Sequence, residues 1–421
     1  MSTQIHPDSR SVPEPAARYT APPRSSIVSR KTVKILPSNG SSFTAGNQIS
    51  ITIPPNSWLD TRGTYLSYLI KTSAGELSTN SQCWISRLRC SSSINNQTII
   101  DIQNYNVLHA IMEKVTARKT YKENAGQILE GTNNNSASTT NLRRCIQLIG
   151  GLFDNDTFFP VKYVDGLQVD LWVESSDAVM GKVGGTTVTG VTVSDISMVC
   201  EFVDFDPTYT AIFEKRFLGE NGGAVGIPYS FDTFTSSKTT INGTSASKVI
   251  SENVRSLKSL FCVQQQTGDK TDTFRQARLS SVLYKLGNVY YPSQAISTTD
   301  GASEAFKEMQ KALNVSGDMA YSIACTPAQW SDFTDIADQT DLTAGDYELW
   351  NNSFILGMNF ERSEVAQSGA NIHTNPLSIQ LTYGADGSNT KNPATTAIDL
   401  ISFAHYDAVL TLTSTDINID Y

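Results

Sequence analysis

The sequence predicts an all-β protein made of two successive antiparallel domains, each interrupted by one short helix. Three observations carry this reading. Apolar and polar residues alternate with a period of two in segments spread along the whole chain. Charged residues make up only 17% of a sequence crowded with Ser, Thr, Asn and Gly, a balance that suits short strands joined by polar turns. The length of 421 residues suits two domains of roughly 200 residues each better than one.

The strands are legible in order. Ile49, Ile51 and Ile53 alternate with Ser50 and Thr52 until Pro54 and Pro55 stop the run. Leu167, Val169, Leu171 and Val173 alternate with Gln168, Asp170 and Glu174, and Ile196, Met198, Cys200 and Phe202 with Ser197 and Glu201. Leu377, Ile379, Leu381 and Tyr383 repeat the pattern, followed by Val409 to Thr413 and by Ile417, Ile419 and Tyr421. Two segments break the rhythm. Between Ile102 and Lys119, the apolar residues Tyr105, Leu108, Met112 and Val115 recur at helical spacing, and Thr120 ends the run. Between Ser303 and Asn314, Phe306, Met309 and Leu313 do the same, with Ser303 at the N-cap and Gly317 beyond the end.

The seam between the halves is expected in Asp206 to Gly226, where Pro207, Gly219, Gly222, Gly223 and Gly226 punctuate the chain. The resulting organisation is an arm over residues 1–34, a first domain over 35–212 and a second over 213–421. Gly131 to Thr140, Gly181 to Gly190 and Tyr383 to Thr396 read as surface loops.

Composition also excludes function classes. No apolar run approaches the roughly 20 residues needed to span a bilayer, and Met1 to Arg30 holds no signal-peptide core. The six cysteines are too sparse for a disulfide scaffold and form no Cys-x-x-Cys pair, so all are read as reduced thiols, which fits a reducing compartment such as cytosol or nucleus. The four histidines, His6, His109, His373 and His405, are scattered, and no Gly-x-Ser-x-Gly elbow or His-Glu-x-x-His helix occurs. Gly126 to Thr132 has P-loop glycine spacing but lacks the lysine, and Gly181, Gly184 and Gly185 open no helix. Asp204 with Asp206, and Asp335 with Asp338 and Asp341, match no calcium loop and read as solvated carboxylates. Arg87 and Arg89 share a strand face and, with Arg143 and Arg144, are the nearest approach to a nucleic-acid groove on an otherwise acidic body. No catalytic, cofactor or metal residue is therefore assigned, and the chain reads as a non-enzyme.

The first 34 residues carry Arg10, Arg18, Arg24, Arg30, Lys31 and Lys34 against Asp8 and Glu14, in a chain of net charge −9. Pro13, Pro15, Pro22 and Pro23 interrupt the segment, which therefore reads as a flexible basic arm. Its charge allows contact with neighbouring subunits, contact with a genome, or a merely solvated tail.

Several stretches, taken in order, resemble the double jelly-roll major capsid proteins of the adenovirus-like lineage, of Polinton, Polinton-like virus, adintovirus or virophage type. Asn39-Gly40-Ser41-Ser42-Phe43-Thr44-Ala45-Gly46, Ile49-x-Ile51-x-Ile53-Pro54, Leu59-Asp60 and Thr64-Tyr65-Leu66 resemble the opening strands of the first roll. Asp101-Ile102-Gln103-Asn104-Tyr105-Asn106-Val107-Leu108 is similar to the helix after an early strand pair. Gly150-Gly151-Leu152-Phe153, Phe159-Pro160-Val161 and Gly166-Leu167-x-Val169-x-Leu171 follow. Tyr284 to Pro292 with the Glu304 to Leu313 helix resembles the corresponding part of the second roll. The weight lies in the order and spacing over residues 39 to 314, and the likeness fades afterwards.

The resemblance implies two tandem eight-stranded antiparallel jelly rolls with a short helix inserted in each. It implies a homotrimer of pseudo-hexagonal outline that tiles the icosahedral shell of a DNA virus, with neighbouring trimers, penton and minor capsid proteins as partners and the virion as location. It implies no cofactor. The alternative is a glycan-binding or spike-like β-sandwich protein, since lectins share the architecture. The loops at 131–140 and 181–190 hold no aromatic residue to support it.

Overall fold

A computed structural model of the chain describes residues 27–93, 96–132, 138–182, 184–217, 226–250, 252–299, 302–315, 330, 353–361, 368–386, 392–413 and 417–421. The first half runs β1 (Ile27–Ile35), β2 (Ser42–Thr44), β3 (Gln48–Ile53), β4 (Trp58–Lys71), β5 (Ile85–Ser92) and β6 (Thr98–Gln103). Three helices follow, α1 (Tyr105–Thr116), α2 (Lys119–Glu123) and α3 (Ala125–Leu129), then β7 (Leu142–Ile146), β8 (Leu167–Val173) and β9 (Thr192–Phe205).

Pairing in this half is nested and antiparallel: β1 and β2 with β9, β3 with β8, β4 with β7, β5 with β6. Wrapping that long ribbon on itself adds β4 against β9 and β5 against β8. The outcome is two sheets, β1-β9-β4-β7 with β2 also beside β9, and β3-β8-β5-β6. Their facing sides hold the core. Ile49, Ile51 and Ile53 of β3 and Leu167, Val169 and Leu171 of β8 are wholly buried, each worth roughly 1.5–3 kcal/mol of burial. The alternation in the sequence is this inward face.

The second half repeats the plan. It comprises β10 (Ile227–Ile241), β11 (Ser245–Ile250), β12 (Leu257–Gln266), β13 (Leu279–Leu286), β14 (Val289–Ser297), α5 (Ser303–Ala312), β15 (Ile355–Asn359), β16 (Leu377–Tyr383), β17 (Ile398–Leu412) and β18 (Ile417–Asp420). β10 pairs with β17, β11 with β16, β12 with β15 and β13 with β14. The sheets are β10-β17-β12-β15, with β18 beside β17, and β11-β16-β13-β14. The β13–β14 hairpin turns on two residues, and Gly287 takes the φ of +58° that its first position needs. No sheet among the described residues mixes strands of the two halves.

Each half is a jelly roll of eight strand positions. In the first, β1 and β2 occupy one position in succession along β9. In the second, β18 pairs with Val409–Leu412 of β17, beyond the stretch that β12 covers.

Three expectations are corrected. Residues 27–34 are not part of a flexible arm, because Ile27–Ile35 pairs with β9 from Phe205 to Met198. The boundary at 212/213 falls inside a helix, α4 (Pro207–Phe217), which joins the rolls. Its start is set by Asp206, which accepts the Thr208 N–H at 2.8 Å, and by Pro207 in the first turn, where no N–H partner is needed. Finally, both helix starts shift: Ile102 lies within β6, which runs to Gln103 before α1 opens, and Ala302, not Ser303, is the N-cap of α5.

Candidate assembly surfaces

The rolls meet along a junction built from three groups of contacts. The edge strands β6 and β10 lie together, with the Ser236 hydroxyl donating to the Gln103 carbonyl at 2.7 Å. Beyond β18, the Tyr421 hydroxyl reaches the Thr98 carbonyl on the same edge at 3.0 Å. At one end, loops interlock: Ser78 Oγ donates to Asp272 Oδ2 at 2.5 Å, the Thr271 N–H to the Val179 carbonyl at 3.0 Å, and Lys270 Nζ to the Ala178 carbonyl at 2.6 Å. Lys114 of α1 donates to Ser353 Oγ at 3.0 Å and lies 5.1 Å over the Phe274 ring.

The third group lies under the segment between β7 and β8. Asn155 Nδ2 donates to the Ser230 carbonyl at 2.8 Å, Tyr229 packs edge-on to Phe159 at 5.1 Å, and Gly151 lies against the backbone of Asp232. The joining helix is held by aromatic packing, with Trp58 edge-on to Tyr163, Phe205 and Phe213 at 5.9, 5.3 and 4.9 Å. Glu214 of α4 accepts from Lys162 Nζ at 2.9 Å and from the Tyr163 hydroxyl at 3.0 Å.

Of the cations singled out in the arm, Arg10, Arg18 and Arg24 lie outside the described residues. Arg30, Lys31 and Lys34 are exposed on β1. Arg30 donates to Glu201 Oε1 at 2.9 Å and to Asp60 Oδ2 at 3.2 Å, and Lys31 lies 2.8 Å from Asp204 Oδ2. Lys31 and the hydroxyls of Ser29 and Ser57 hold Asp204 well below the usual carboxylate range. Two of the three described cations thus fasten β1 to its own sheet. Arg87 is likewise spent on Asp101, in a bidentate pair beneath which Trp172 stacks at 4.8 Å.

Titratable groups in the interior point to structure and not to chemistry. His109 is buried, 2.6 Å from Asn80 Oδ1, and burial pushes it down to about 3, so it stays neutral. Burial raises the thiols of Cys90 and Cys200 to about 12, and those of Cys83 and Cys262 further. Glu113 on α1 is raised to about 7 by burial, against the pull of Lys122 at 3.5 Å, with Asp272 across the junction adding to the rise. Ser259, His405 and Asp232 form a Ser–His–Asp arrangement with both contacts at 3.4 Å. Ser259 is nearly closed to solvent, and Asp232 is shared with Lys258 at 3.0 Å, so the serine is not activated. Among the described residues, no three His, Cys, Asp or Glu side chains group as metal ligands, and no helix is long and apolar enough to cross a membrane.

No family model and no curated protein matches the sequence. Solved structures do match. The capsid of PBCV-1 virus, as a quasi-atomic model, aligns with a TM-score of 0.62 at 13% identity over 96% of this chain and 98% of that one. The chain has the double jelly-roll fold. The Faustovirus major capsid protein aligns with a TM-score of 0.62 at 9% identity, over 94% of this chain and 92% of that one. The mavirus major capsid protein aligns with 0.55 at 10%, over 100% and 95%. Agreement over nearly the whole of both chains at so little identity is agreement in fold.

The junction residues were not found from the sequence. Ser78 and Asp272 are 194 positions apart, and neither has a local pattern that marks it. Gly151 lay in a noticed stretch, but its neighbour Asp232 belongs to the other roll.

Proposed function

We propose that this chain is the major capsid protein of a non-enveloped icosahedral virus, assembling as pseudo-hexameric homotrimers into a shell around a DNA genome. The observation that carries the reading is the pair of jelly rolls held side by side in one chain, a plan shared over nearly full length with proteins whose structures are described as capsids. Three copies of a two-roll unit give six similar wedges, which close around a threefold axis and pack as hexagons do. The short stretches that resemble Polinton, Polinton-like virus, adintovirus and virophage proteins favour that lineage. Neighbouring trimers, penton and minor capsid proteins are its partners, and the virion its location.

Residues 1–26 carry Arg10, Arg18 and Arg24 ahead of β1, and we assign them to contacts made during assembly, with neighbouring subunits foremost and genome second. Many weak charged contacts repeated over a shell sum to appreciable avidity. The test is light scattering of the purified chain followed by electron microscopy of particles at several salt concentrations, for the full chain and for one lacking residues 1–26. Trimers that form shells, with the shortened chain folding normally but assembling less and with a weaker salt dependence, are expected. A monomer at micromolar concentration overturns the capsid reading. Unchanged assembly of the shortened chain overturns the role of the arm.

A further inference from the structure

The two rolls are equivalent strand for strand, and that equivalence shows which edges the described residues leave bare. β6 and β14 are the outer edges of the β3-β8-β5-β6 and β11-β16-β13-β14 sheets. β1 and β10 are the outer edges of the other two sheets, each beside the long central strand β9 or β17. Within the chain, β6 of the first roll is covered by β10 of the second, and one of its six residues remains exposed. β14, its counterpart, pairs only with β13 among the described residues, and five of its nine residues are exposed. β1, the counterpart of β10, pairs only with β9 among the described residues, and six of its nine are exposed, against five of fifteen for β10.

The bare edges are apolar as well as open. Val289 and Tyr290 on β14 are 55% and 43% exposed, and Val28, Val33 and Leu36 on or just after β1 are 65%, 38% and 66% exposed. Beside β14 a surface groove of about 340 Å³ runs to α5, lined by Pro292, Gln294, Ile296 and the charged Glu304, Lys307 and Glu308. β1 also carries Arg30 and Lys31, both paired with carboxylates of their own sheet, and the exposed Lys34. Unpaired strand edges of this length are normally covered, bent away or heavily charged.

We propose that β14 and the β14–α5 groove of one copy are covered by β1 of the next copy, repeating between copies the β6–β10 contact made within the chain. The proposal rests on the homotrimer reading and assigns its interface. The contact is heterologous, since one edge meets a different edge, and three repeats with the same rotation close the ring. A twofold pairing of β14 with β14 would instead leave β1 bare and produce a dimer.

The experiment uses the full chain with Cys145→Ser and Cys325→Ser as background, carrying Val33→Cys and Tyr290→Cys singly and together, treated with a flexible bis-maleimide. Val33 and Tyr290 are both exposed, and circular dichroism checks that each variant keeps the wild-type fold. Covalent dimers and trimers in the double variant, absent from both single variants, are expected. A wild-type trimer whose double variant stays uncross-linked overturns this interface and leaves the trimer standing. Cross-linking in Tyr290→Cys alone shows β14 meeting β14 and also overturns it. A monomeric wild type removes the homotrimer reading and this interface with it. As a second readout, Val289→Asp with Tyr290→Asp should weaken trimer association by about tenfold or more in sedimentation, with the fold retained. An unaltered association constant in that folded variant counts against the proposal.

Discussion

The junction between the rolls is most sharply tested at Gly151. A β-carbon placed there would lie 1.6 Å from the Asp232 carbonyl oxygen, 2.6 Å from its carbonyl carbon and 2.7 Å from its nitrogen. All three are backbone atoms, so no side chain can rotate away. Asp232 lies mid-ladder in β10, which pairs with β17 from Ile227–Leu412 through to Ile241–Ile398, so a local bulge would break that ladder. The remaining response to Gly151→Ala is for the rolls to part by more than an ångström. That strains the Asn155–Ser230 hydrogen bond and the Phe159–Tyr229 contact. Overpacking of this kind carries a penalty of about 1–3 kcal/mol, and a lost hydrogen bond adds about 1. We expect a loss of roughly 3 kcal/mol, which for rolls of this size lowers Tm by on the order of 10 °C. Scanning calorimetry should show it, or show two transitions where the wild type has one. Gly384→Ala is the control, because its β-carbon meets nothing closer than 3.7 Å. A Gly151→Ala melting temperature equal to that of the control would refute the close approach of the rolls.

Glu113 should impose a pH dependence. Its folded pKa of about 7 lies above its ordinary 4.5, so the proton it retains stabilises the fold fully below pH 4.5, and that contribution is lost as the pH rises to about 7. Glu113→Gln should therefore match wild type in urea titrations near pH 4.5 and exceed it by roughly 3 kcal/mol at pH 8, and a difference that does not vary with pH would contradict this. Iodoacetamide followed by peptide mapping should leave Cys83, Cys90, Cys200 and Cys262 unmodified in the native protein, since burial keeps all four protonated and covered. Rapid native labelling of any of them would place that thiol at the surface. Leu171→Ala, at a wholly buried position facing the first core, should lower the unfolding free energy by about 2–5 kcal/mol in urea, and a loss well under 1 would mean the site is not packed as described.

The sequence by itself determined the parts that depend on neighbours a few residues away. The strands at Ile49–Ile53, Leu167–Val173 and Leu377–Tyr383 were readable because burial of one sheet face imposes a period of two on the residues themselves. The helices α1 and α5 were readable from the spacing of Tyr105, Leu108 and Val115 and of Phe306 and Met309. Their ends were missed because the αL residues Asn104 and Ala302, which switch the chain from strand or loop into helix, have no signature beyond their own backbone angles. The strand at Ile27–Ile35 was missed for a related reason. It is an edge strand with both faces largely wet, so its residues never alternate, and charge made it look like arm. What tertiary structure alone decided is the junction: Gly151 against Asp232, Ser78 with Asp272, β6 with β10. Those partners are 81 or more positions apart in the first two cases and touch only because two nested ribbons have wrapped and been set side by side by α4. Local pattern cannot encode them, since each residue's neighbour is chosen by the folding of the other roll.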